Sequence, residues 1–101
     1  MSGESMNAAD ADASLEGKVL GVVLAIAGTA RTPPRAGPDT PLRDDGFWLD
    51  SLAMVEIVME CEATFDVVLD AERDLSPDAL STARSLAAVI RAKQGHRNGS
   101  R

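Results

Sequence analysis

Few side chains in this sequence are equipped for chemistry. His96 is the only histidine and Cys61 the only cysteine. His96 falls in a polar tail, QGHRNGSR, that suits solvation more than general-base work. Asp44-Asp45 places two carboxylates side by side without further spaced ligands, a pattern of loop solvation or capping more than of metal binding. No CxxC or Cys/His cluster offers a zinc site, and no glycine-rich phosphate loop follows a strand. The sequence therefore predicts no catalytic residue and no metal. What remains is Ser51, in Asp50-Ser51-Leu52 at the head of WLDSLAMVEIVMECEATF, residues 48–65. Asp-Ser before an apolar run reads first as an N-cap. The hydroxyl then stands at a helix N-terminus, where free N–H groups and the helix dipole stabilise a phosphate attached there. Such a serine is suited to carrying a phosphodiester.

The segment behind Ser51 must be a helix for that chemistry to hold. At 3.6 residues per turn, Met54, Ile57, Val58, Cys61 and Phe65 share one arc, enough to bury the helix. Cys61 is thereby expected to be an inert small hydrophobe. Leu52, Val55 and Met59 fall on an adjoining arc, with Ser51 and Glu62 on one border and Glu56 and Glu60 on the other. Two readings of this strip are open: the domain wraps the helix on two sides, or the strip is a docking surface with an apolar centre and a charged rim. Glu56 and Glu60, four apart, repel each other slightly along the helix. An acidic rim that steers a basic partner accounts for their retention.

Around this helix the remaining elements are predicted as follows. Residues 1–10 are small and polar and are expected to be disordered, and 94–101 to form a flexible tail, with one domain over 11–93. From about Asp12 to Gly28, Leu15, Val19, Val22, Val23 and Ile26 recur at helical spacing, widened by Leu20 and Leu24. TARTPPRAGPDTPLRDDGFWLD then carries four prolines and two glycines, which no regular element tolerates. Leu42, Phe47, Trp48 and Leu49 could anchor the second half of this loop in the core, whereas Thr32 to Thr40 offers nothing comparable. For Trp48 a core plug is the preferred reading and a surface facing cargo or partner the other. Ser76-Pro77 reads as cap and first helical position of a short helix through Leu80. Ser81 or Thr82 can cap a last helix to about Lys93, with Ala83, Leu86, Val89 and Ile90 as its apolar stripe. The predicted fold is all-α: a small antiparallel four-helix bundle, three longer helices and one short third helix, with a long loop between helices 1 and 2.

Composition agrees and excludes other classes. A chain of 101 residues with 45% hydrophobic content holds one small core, and its aliphatic, aromatic-poor make-up favours helices. A net charge of -6 argues against nucleic acid. Twelve of the sixteen acids lie between Asp39 and Asp78, opposed there only by Arg43 and Arg73. The acidic, polar first residues do not read as a secretory signal, and the run Val19 to Ala27 is too short for a membrane span. One cysteine cannot form an internal disulfide, so a cytoplasmic setting is expected.

The sequence resembles the acyl and peptidyl carrier proteins, whose attachment motif is Asp-Ser-Leu at the start of the second helix. Asp50-Ser51-Leu52, Val55-Glu56, Val58-Met59 and Phe65-Asp66 follow the family pattern without a gap, and Leu80-Ser81-Thr82 with Leu86 to Ile90 matches its third-to-fourth helix junction. The likeness runs from about Leu42 to Ala92 and is only compositional for the first helix. It implies a non-catalytic shuttle. A phosphopantetheinyl transferase would attach 4'-phosphopantetheine to Ser51, and the arm's thiol would carry an acyl or aminoacyl thioester to successive enzymes at high effective concentration. Asp50 and Leu52 would be motif neighbours, and Val55, Glu56, Met59 and Glu62 would fall on the partner-recognition face. DLSPDALSTARSLAAVI resembles free-standing carriers charged by an adenylating ligase. An adenylating ligase or acyltransferase and downstream synthase enzymes are thus the implied partners, in pathways of polyketide or nonribosomal peptide type, and the shuttle is expected to be monomeric.

Three positions depart from the family. Glu60 and Ala63 reverse its usual small-then-acidic order, and Trp48 stands three residues before the serine where glycine is common. From another class, an unmodified helical adaptor whose acidic groove binds a partner helix competes with the carrier reading.

Overall fold

The computed structural model describes the backbone of residues 8–43 and 46–99 and the side chains of residues 14–43 and 46–95. Expectations for residues 1–7, for Asp44-Asp45 and for the His96 side chain lie outside the described residues. Three helices form among the described residues: α1 (Ala8–Arg31), α2 (Ser51–Phe65) and α3 (Ala83–Gly99). No strand occurs among the described residues.

Leu15, Val19, Val23 and Ala27 recur every fourth position of α1 and are buried. Val22 and Ile26 flank them half-buried, and Leu24 reaches the surface. Helical conformation breaks at Gly28, with φ 69° and ψ 178°, before one more turn to Arg31. The left-handed φ there is one that glycine adopts without strain. In α2 the buried residues are Ala53, Met54, Ile57 and Cys61, with Val58 and Phe65 packed partly against them. In α3 they are Ala83, Leu86, Ala87 and Ile90, with Val89 half-buried. Thr82 caps α3: Ser85 N–H donates to Thr82 Oγ1 at 3.1 Å, and Thr82 N–H donates back to Ser85 Oγ at 3.0 Å. α1 packs against both other helices. α3 continues to Gly99, past the expected end at Lys93.

The expected short third helix does not form, so three helices and not four are seen among the described residues. Ser76–Leu80 forms hydrogen-bonded turns instead. The local signals act as anticipated, with Ser76 Oγ accepting from Ala79 N–H at 3.1 Å. Leu80 N–H then closes one helical bond to Ser76 O at 3.1 Å, but Ser81 N–H turns to Asp78 O at 3.2 Å. A single turn ends before propagation can offset the cost of nucleation.

The described part of the loop between α1 and α2 is anchored in both its halves. Its second half uses Leu42, Phe47 and Leu49, each 2% exposed or less. Burying each contributes roughly 1.5–3 kcal/mol. Trp48 does not join them; it is 65% exposed, which overturns the core plug. The first half, for which the sequence offered no anchor, is held by polar contacts. Arg84 N–H donates to Pro38 O at 2.9 Å, and the Arg84 guanidinium meets Asp39 at 2.8 Å. Leu42 N–H reaches Ser81 O at 2.8 Å, which ties the loop to the segment leading into α3.

Candidate functional site

Asp50 and Ser51 stand where that loop meets α2. Asp50 is the N-cap, in extended conformation, and its Oδ1 accepts from Ala53 N–H at 2.8 Å while its carbonyl accepts from Met54 N–H at 3.0 Å. Ser51 is the first helical residue and its side chain is exposed. A hydroxyl there can be esterified without disturbing the core, and a phosphate on it would sit over the positive end of the helix. The residues thus fit a phosphate-linked group. Arg31, in the last turn of α1, brings its guanidinium to 4.0 Å from Asp50 Oδ2, an exposed pair of small energetic weight.

The approach to Ser51 is built by close packing of backbone. Phe47 N–H donates to Pro41 O at 2.9 Å, Trp48 N–H to Arg43 O at 2.7 Å and Leu49 N–H to Leu42 O at 3.0 Å. Gly46 makes the turn possible, since a Cβ there would overlap the Pro41 carbonyl oxygen and lie 2.8 Å from its carbon. Trp48 sits in the left-handed region, φ 57°. That conformation suits the glycine usual at this position of the carriers and is uncommon for an aromatic residue.

Beside Ser51 opens a cleft of about 570 Å³. Met54 and Val55 of α2, Pro41 and Arg43 of the loop, and Leu75 and Leu80 of the following link line it together with Ser51. The sequence reading missed this cleft, because its walls come from segments far apart in the chain. Arg43, one of two bases in the acidic block, carries the positive charge on its wall.

The residues of the second strip separate. Leu52, Val55 and Met59 are 69%, 52% and 61% exposed, and Glu56 is exposed beside them, so the domain does not wrap α2 on two sides. Glu60 accepts from Thr64 Oγ1 at 3.4 Å. Glu62 is half-buried, and its Oε2 accepts from Leu69 N–H at 2.8 Å. Its carboxylate therefore staples the link after α2 as well as bordering the strip. Cys61 is fully buried, and burial first, then the charges of Glu60 and Glu62, pushes its thiol up to about 12. It cannot serve as a nucleophile near neutral pH.

No group of three or more His, Cys, Asp or Glu side chains among the described residues is placed to hold a metal ion. No helix among them is long and apolar enough to cross a membrane. No curated protein and no solved structure matches the chain significantly. A family model described as phosphopantetheine attachment site matches residues 18–92, a span that contains Ser51, all of α2 and most of α1 and α3. Members of that family are non-catalytic carriers bearing 4'-phosphopantetheine covalently on a serine. With about three-quarters of its length inside the match, the chain belongs to the phosphopantetheine attachment site family and is a phosphopantetheine-carrying carrier protein.

Proposed function

We propose that Ser51 is the attachment serine and that the protein shuttles acyl or aminoacyl thioesters between enzymes of a polyketide or nonribosomal peptide type of pathway. The observation that carries this reading is the exposed Ser51 hydroxyl at the first position of α2, behind the Asp50 cap and within the family match. In the modification step Ser51 Oγ forms a bond to the pantetheine-bearing phosphorus of coenzyme A. The diphosphate P–O bond breaks, adenosine 3',5'-bisphosphate leaves, and the hydroxyl proton passes to a base of the transferase. Asp50 caps the helix end and Ser51, next in the chain, is exposed, as is Leu52 after it. The arm then supplies a thiol for thioester chemistry.

Val55, Glu56 and Met59 are the proposed docking face, with Glu62 at its border, where partners present apolar contact with basic groups around it. A phosphopantetheinyl transferase, an adenylating ligase or acyltransferase for loading, and downstream synthase enzymes are the proposed partners. A monomeric carrier domain over 11–93 in the cytoplasm fits a shuttle whose single cysteine forms no internal disulfide.

Intact mass after incubation with coenzyme A and a broad-specificity phosphopantetheinyl transferase tests the assignment. Wild type gains one arm and Ser51→Ala gains none. Wild type left unmodified by a transferase active on a control carrier would overturn it.

A further inference from the structure

We propose that Trp48 is a recognition residue for the transferase that attaches the arm, entering an apolar slot edged by lysine or arginine on that enzyme. This rests on Ser51 being the attachment point. Phe47 and Leu49, on either side of Trp48, are 0% and 2% exposed, whereas Trp48 between them is 65% exposed. The N–H groups of all three are tied to the carbonyls of Pro41, Arg43 and Leu42, so the ring cannot swing inward without dismantling the loop. Its backbone is held at φ 57°, where a bulky side chain is disfavoured and glycine or asparagine is not. Trp48 thus combines a large exposed apolar surface with an unfavourable backbone, and the core gains nothing from it. The compensating contact lies outside the chain.

Charge and position indicate the partner. Exposed apolar side chains lie on both sides of the serine in the chain, Trp48 before it and Leu52, Val55 and Met59 after it. α2 carries Glu56, Glu60 and Glu62 and no basic residue, and Asp50 adds a further exposed carboxylate, which calls for a cationic counter-surface. Loading and synthase enzymes act at the far end of the arm. Partners of every kind dock on α2, but the transferase is the one whose chemistry takes place at the Ser51 hydroxyl itself, three residues along the chain from Trp48. Rigid presentation of an aromatic side chain lowers the ordering cost of that contact.

The test uses the full-length apo protein. Trp48 is the only tryptophan, so labelling with 5-fluorotryptophan gives one fluorine resonance that reports this site alone. Adding the transferase without coenzyme A is expected to shift or broaden it. In modification kinetics, Trp48→Gly is expected to raise KM about tenfold with kcat within about twofold, the loss of one aromatic contact. Its melting temperature should be unchanged or higher, because glycine relieves the backbone. Trp48→Phe should keep KM within about threefold of wild type. An unmoved resonance, or an unchanged KM in a folded Trp48→Gly, overturns the proposal. So does a resonance that responds only to arm attachment, to the chain's own concentration or to a loading enzyme, since the ring would then serve the arm, a second copy or a later partner. Should Trp48→Gly fail to fold, the fluorine titration of wild type decides. Wild type that never gains the arm overturns the Ser51 assignment as well, an outcome distinct from normal modification with an unaltered KM.

Discussion

At the mouth of α2, Asp50 closes the first turn through Ala53 N–H and leaves the adjacent Ser51 hydroxyl in solvent. Of two adjacent polar residues, one thus serves the helix end and the other is left exposed, as the proposed attachment requires. Farther along the helix, Cys61 points the other way. Fully buried, with its thiol pushed up to about 12 from 9.0, it holds its proton throughout the neutral range. Iodoacetamide at pH 8 should therefore alkylate native Cys61 at least about a thousandfold more slowly than an ordinary exposed thiol. Full reactivity should return in urea, and mass spectrometry reads both. Under the proposed function, this also keeps the chain's own sulfur out of competition with the arm thiol for thioester cargo. Fast native alkylation would contradict the burial on which that separation rests.

The loop is the element on which the site most depends. Its three buried anchors and its backbone bonds to residues 41–43 set the direction from which the chain enters α2. Gly46 is demanded by space, as the Pro41 carbonyl fills the position of a side chain. Gly46→Ala should lower unfolding free energy by about 1–3 kcal/mol, the usual effect of overpacking. Urea denaturation with an unchanged m-value checks this, and slower arm attachment should accompany it as the Asp50 entry shifts. An alanine variant as stable as wild type would mean that the 41–49 turn yields easily. The missing third helix is informative at the same scale. Ser76-Pro77 starts a turn as its residue types dictate, yet one bond cannot sustain a helix without further residues behind it.

Across the whole molecule, α1 packs on both other helices, and polar ties close the link between α2 and α3. Asp74 Oδ2 accepts from Asp70 N–H at 2.7 Å and meets Lys93 Nζ of α3 at 3.0 Å. The Asp70 N–H first, and then Lys93, hold the Asp74 carboxyl below its ordinary 3.8. A carboxyl whose folded pKa is depressed contributes stability above the unfolded value, and that contribution is lost as pH falls through the folded one. Asp74→Ala should accordingly melt below wild type at pH 7, with the gap narrowing as pH falls beneath 3.8. Melting curves across that window check it, and a gap independent of pH would remove the charge from the explanation.

The sequence by itself determined what is local. Helical spacing marked Leu15, Val19 and Val23, then Met54, Ile57 and Cys61, then Leu86 and Ile90 as core, because burial follows a period of 3.6 wherever one face meets a partner. Asp50-Ser51 was legible for the same reason, since a cap acts within its own turn. Contacts between distant segments were decided only by the tertiary structure. The cleft walls, the grip of Arg84 on Pro38 and Asp39, and the capture of the Leu69 N–H by Glu62 depend on where the chain returns. Trp48 shows the division most sharply. Its apolar character argued for the core, but three backbone hydrogen bonds fix its φ and turn it outward between two buried neighbours.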